Sequence, residues 1–99
     1  MKLTLHLTPA ATSWLQELRD LVGRRRVLAR LAAIEEEGHL GDWKALGDGL
    51  IELRIHAGPG YRLYCVRRGA DLIVILLGGD KDHQSRDIRR AKALAEQLD

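Results

Sequence analysis

The sequence predicts an α+β chain, and three observations carry that prediction. Apolar and polar residues alternate at the start and again across the middle, two helical stripes separated by a glycine follow the first alternation, and a third helical stripe closes the chain. Leu3, Leu5 and Leu7 alternate with Lys2, Thr4 and His6, the period of a half-buried strand. Thr8-Pro9 then offers a helix cap followed by proline at the first helical position. The first helix is expected to run to about Val22 on Trp14, Leu15, Leu18, Leu21 and Val22, with Gly23 breaking it. A second, from about Arg24 to Glu37, presents Val27, Leu28, Leu31 and Ile34 before Gly38 stops it. Two short helices joined by a glycine predict an antiparallel hairpin.

After a glycine-rich link over 38–49, Leu50 to Ala57 alternates, with Ile51, Leu53 and Ile55 on one face and Leu50, Glu52, Arg54 and His56 on the other. Gly58-Pro59-Gly60 reads as the turn into a strand over Tyr61 to Arg68, whose Leu63 and Cys65 oppose Arg62 and Tyr64. If both odd faces meet the core, register places Arg54, His56, Arg62 and Tyr64 on one shared outer surface. Leu72 to Leu77 is apolar throughout, which predicts a central strand covered on both faces and ended by Gly78-Gly79. The last helix, from about Ser85 to Leu98 and capped by Asp82 or a neighbour, turns Ile88, Ala91, Leu94, Ala95 and Leu98 inward.

Ninety-nine residues support one core, so residues 1–99 are read as a single domain without repeats. Apolar residues at 45% and charged residues at 30% exclude disorder. The longest apolar run, Leu72 to Leu77, is far below membrane-spanning length, and Met1 to Leu7 lacks the apolar core of a leader; a cytoplasmic protein that does not engage a membrane is expected. The single Cys65 cannot form an internal disulfide and sits in an apolar strand pattern, which predicts a buried, inert thiol in a reducing compartment.

The formal net charge is only +2, yet four arginines and no acid lie between Leu53 and Gly69: Arg54, Arg62, Arg67 and Arg68. A basic strip on a sheet is how a small protein holds phosphate. Lys44, Lys81 and His83 lie on or just beyond the strands and extend that set; guanidinium forks bind phosphate oxygens in pairs and an ammonium adds a point charge. Tyr61 and Tyr64 are candidates to stack on bases, although with aromatic residues at only 4% burial of at least one ring is the stronger expectation. Arginine cannot carry a proton at neutral pH and imidazole can, which singles out His83 first and His56 second. Asp80, Asp82 and His83 match no metal-ligand spacing, and GDGL at 47–50 lacks the lysine and helix of a phosphate-binding loop, so neither metal nor cofactor is expected. In the second helix Arg24–Arg26 stand at the positive end of the dipole and Glu35–Glu37 at the negative end. Cross-pairing with the neighbouring helix or plain solubility accounts for this, with a partner-binding surface as the alternative.

GDWKALG, LIELRI, GPGYRLY and GGDK, in that order, together with Trp14-Leu15 and Leu18-Arg19-Asp20 in the opening helix, resemble the RelE/ParE superfamily of bacterial toxins, in particular its HigB-like addiction module killer branch. The resemblance covers nearly the whole chain. It implies a helix hairpin and a C-terminal helix packed on a mainly antiparallel sheet, and a toxin made beside a small antitoxin. That antitoxin is usually a helix-turn-helix protein, through which alone operator DNA is bound. For RelE-like members it implies ribosome-dependent cleavage of messenger RNA. Arg54 and Arg62 match the Leu-Arg and Gly-Tyr-Arg motifs and would steady charge; Lys81 matches a basic position after the final strand; Lys44 would contact the RNA backbone. From residue type, His56, Tyr64, Arg67 and Arg68 are expected to bind RNA beside them. The chain departs from RelE at Leu50 and Glu52, where RelE places lysines, and at Asp87, near a RelE tyrosine. In the HigB manner, His83 stands as a substitute proton carrier with Asp80 as its helper. Two other functions share the fold: a ParE-like inhibitor of DNA gyrase, and a degenerate toxin acting only with its antitoxin in operon repression.

Overall fold

A computed structural model describes residues 2–98; Met1, at the head of the segment tested for a leader, and Asp99 lie outside them. The elements follow as β1 (Thr4–Leu7), α1 (Pro9–Glu17), α2 (Leu21–Glu37), β2 (Trp43–Gly47), β3 (Leu50–Ile55), β4 (Tyr61–Arg68), β5 (Leu72–Asp80), a 3-10 turn (Lys81–His83) and α3 (Gln84–Glu96). The five strands form one sheet in the order β1-β5-β4-β3-β2, with β1 parallel to β5 and every other pair antiparallel. This is the predicted α+β class.

Thr8 caps α1 as the sequence implies: its hydroxyl accepts from Ala11 N at 3.2 Å and donates to Leu76 O at 2.6 Å, tying the helix start to β5. The first helix is shorter than its apolar stripe. It ends at Glu17, and α2 begins at Leu21 under the side chain of Asp20, which accepts from Gly23 N at 3.0 Å. Gly23 is therefore inside the second helix and breaks nothing. Tyr61 needs it: a Cβ there would sit 2.3 Å from the ring, whose hydroxyl donates to Asp20 at 2.8 Å. The cap and that hydroxyl hold the Asp20 carboxyl below its usual range, the backbone N–H of Gly23 being the larger influence.

Two apolar clusters lie on opposite faces of the sheet. Under α1 and α2, Leu3, Val27, Leu31, Ile34, Leu53, Leu63, Cys65, Ile73 and Ile75 pack together, with Trp14, Leu15 and Leu18 at the margin. Under α3, Leu50, Tyr64, Val66, Val74, Leu76, Leu77 and Ala91 form the other, flanked by the predicted Ile88, Leu94, Ala95 and Leu98. The even face of β3 and β4 is thus covered by a helix and is not an outer surface.

Two departures concern glycine. The link 38–49 contains β2, whose hairpin with β3 turns at Gly47-Asp48-Gly49. The pair Gly78-Gly79 does not end β5; the strand runs through it to Asp80. A bulge at Leu76 shifts the register so that Gly78 faces α1 and Gly79 faces α3. A Cβ on Gly78 would lie 2.2 Å from the Trp14 ring, and one on Gly79 would lie 2.0 Å from the Asp87 carboxylate. α3 starts one residue earlier than expected, and Asp80, not Asp82, caps the turn before it.

Candidate functional site

Adjacent antiparallel strands set Arg54 directly opposite Arg62, and Glu52 opposite Tyr64, on the face that α3 covers. Like charges paired across strands repel, and a lone buried carboxylate is costly to desolvate. Each problem answers the other here. Glu52 is fully buried; its Oε1 accepts from Arg54 Nε at 3.0 Å and lies 3.9 Å from Arg62 Nε, while Oε2 accepts from Gln84 Nε2 at 2.8 Å. The two guanidinium groups converge, as expected, but on a carboxylate of the protein. Arg62 keeps 7% exposure and donates from Nη1 to Tyr61 O at 3.2 Å, whereas Arg54 is about one-third exposed.

Beyond this pair, Arg62, Lys81 and His56 line one cleft of about 420 Å³ around the loop Ala57–Gly60. Lys81 N donates to Gly60 O at 2.8 Å, which clips the loop to the 3-10 turn and fixes where the exposed ammonium starts. His56 Nε2 lies 2.6 Å from Asp42 Oδ2. That hydrogen bond, more than the charges of His56, Arg54 and Arg30, holds the Asp42 carboxyl below its ordinary value. Among the described residues the lining carries three basic side chains and no acid.

His83 opens elsewhere. Its Nδ1 is 2.8 Å from Asp80 Oδ1, and it lines a cleft of about 560 Å³ between α1 and α3 with Trp14 and Asp87. Within the 3-10 turn only Asp82 separates Lys81 from His83, yet the two line different clefts. Lys44 is exposed on the edge strand β2, opposite Glu52. Arg67 and Arg68 are exposed at the other end of β4, five to six residues and roughly 17–20 Å along the strand from Arg62. They do not share its cleft, so the basic strip is not continuous.

Tyr64 requires a correction. Its ring has 0% exposure beneath α3 and cannot stack on a base; burial, ahead of the Glu52 and Asp87 charges, drives its hydroxyl far above the ordinary tyrosine range. Tyr61 is also buried, its hydroxyl pushed up to about 12 by burial first and by Asp20 second. Tyr64 Oη, Arg62 Nε and Asp87 Oδ2 have no hydrogen-bond partner among the described residues. Sequence reasoning set Glu52 aside as a departure; its signal was an acid two residues from Arg54 on the same strand face. Nothing in sequence marked Gln84 as its partner.

The profile of the phage-derived Gp49-like family matches residues 13–98. The chain belongs to that family. A relative, an uncharacterized protein of Haemophilus influenzae, is 39% identical over 98 residues, covering 99% of this chain and 98% of its own. Among solved structures, a mutant of the E. coli toxin RelE in the free state superposes with a TM-score of 0.68 at 17% identity, over 91% of this chain and 98% of that one. At that identity the likeness establishes the RelE fold for this Gp49-like protein.

Proposed function

We propose that this Gp49-like protein is the toxin of a type II toxin–antitoxin pair and cleaves messenger RNA on the ribosome. One observation carries the reading: on a RelE fold, Arg62, Lys81 and His56 share a cleft whose lining holds no carboxylate among the described residues. In the reaction the ribose 2′-hydroxyl forms a bond to the adjacent phosphorus as the bond to the 5′ oxygen breaks. The hydroxyl proton passes to a base, and an acid returns one to the departing oxygen, leaving a cyclic phosphate and a 5′-hydroxyl. Arg62 and Lys81 hold the phosphoryl oxygens as charge gathers there, with Arg54 behind them. His56, on the rim of that same cleft, takes precedence as proton carrier over His83, which faces another. The partner is a small antitoxin of helix-turn-helix type, with operator DNA reached only through it, and the protein works in the cytoplasm.

Induced expression, with translation, plasmid supercoiling and the 5′ ends of cellular messages read separately, tests this. Stalled translation with new 5′ ends is expected, and Arg62→Ala should lower cleavage about 100- to 1,000-fold, the usual loss for one preorganised charge-stabilising donor. Relaxed plasmid with intact messages would identify a gyrase inhibitor instead.

A further inference from the structure

Resting on that reading, we propose that the groove between α2 and β3 extends the phosphate cleft into a track for single-stranded RNA, gripped at its far end by Arg26. This second cleft, of about 380 Å³, is lined by Arg26, Ala29, Arg30, Ala33, Ile55 and His56. His56 lines the first cleft as well, so the two adjoin at its ring.

Positions 26, 29, 30 and 33 are one helical stripe, since residues three and four apart share a face. The stripe alternates function along its length. Ala29 and Ala33 bring only methyl groups beside Ile55, leaving a low apolar bed of a kind on which a base can lie. Arg30 is anchored: Nη1 donates to Leu40 O at 3.0 Å and Asp42 O at 3.2 Å, and Nη2 donates to Arg54 O, so its charge stays in place beside the groove. Arg26 is exposed and has no ion-pair or hydrogen-bond partner among the described residues. Arg26, His56 and Lys81 are therefore spaced along one path, with no acid in either lining; Asp42, the carboxylate at the rim, is bonded to His56.

A polyanion suits this path better than a protein does. Protein interfaces centre on large buried anchors, and the exposed large apolar residues Leu21, Val22, Leu28 and Trp43 all lie outside both clefts. The track also gives a purpose to a basic helix end that the helix dipole disfavours and that has no ion pair among the described residues.

Binding of a short, end-labelled single-stranded RNA to the purified protein, followed by fluorescence anisotropy at about 50 and 200 mM salt, tests the track. Arg26→Glu and Ala33→Glu leave Arg62 and Lys81 untouched; Arg26→Lys is the conservative control, and circular dichroism verifies folding. Both acidic variants should weaken binding about tenfold and flatten the salt dependence by about one phosphate contact, with Arg26→Lys close to wild type. On ribosomes KM should rise while kcat holds. Folded variants that bind RNA like wild type overturn the track, as does a loss confined to antitoxin affinity. Wild-type protein that cuts messages beside an equally active Arg26→Glu removes the track alone; wild-type protein that neither binds nor cuts RNA removes the toxin reading with it.

Discussion

The two faces of the sheet are built on different terms. Beneath α1 and α2 the core is apolar, and the polar groups that approach it are satisfied, Thr8 by Ala11 and Leu76 and Tyr61 by Asp20. Beneath α3 an apolar patch of similar construction shares its space with Glu52, Arg62 and Asp87, and three buried polar atoms find no hydrogen-bond partner among the described residues. A chain this short has little stability to spare, and a buried ion pair is weak as a source of it. The charges are collected on one face while the other is kept apolar, and of the charged set Arg62 also lines a cleft.

The comparison is broken most severely on the dry face. Leu53→Ala removes a fully buried side chain from the sheet centre and should destabilise by about 4 kcal/mol, measured by urea unfolding. On the charged face, Glu52→Ala leaves Arg54 and Arg62 facing each other unpaired. A loss of about 3 kcal/mol is expected, at the low end for a broken buried pair because Arg54 is partly exposed. Asp87→Asn sharpens the contrast: its Oδ1 accepts only long bonds from exposed Arg86, the shorter at 3.4 Å, and its Oδ2 has no partner among the described residues. Removing the buried charge should therefore raise stability by about 1 kcal/mol, and a fall of that size would show the carboxylate to be compensated.

The smallest effect concerns Cys65. Burial pushes its thiol up to about 12, so the folded state keeps a proton that the unfolded chain gives up at an ordinary thiol pKa of about 8.5. Its contribution to stability is full below about pH 8.5 and is lost as pH climbs toward about 12. Alkylation at about pH 8.5 should therefore be negligible in the native protein and rapid in denaturant, followed by mass spectrometry. Native labelling at the denatured rate would contradict the packing of the dry face.

Much of the candidate site was legible because strand alternation is a local property. Arg54, Arg62 and Tyr64 fell on one face once the Gly58-Pro59-Gly60 turn fixed the pairing, and the structure keeps them there. What covers that face was not legible. Burial of Tyr64 depends on α3, which begins only at Gln84, folding back over β4, and no local pattern encodes where a distant helix lands. The same holds for His83: its position after β5 was plain, but the bulge at Leu76 and the 3-10 turn together decide which cleft it enters.

The amino-acid order alone determined the class of fold, the strand faces, the cap at Thr8, the inward stripe of the last helix and the cluster of basic residues, because each follows from a period or a short-range hydrogen bond. Only the assembled molecule decided that Gly23, Gly78 and Gly79 serve close approaches of Tyr61, Trp14 and Asp87, that Glu52 sits between the paired arginines, and that the cleft lined by Arg26 and the cleft lined by Lys81 share His56. Those outcomes rest on contacts between segments far apart in the chain, where geometry and desolvation, not propensity, set the energy.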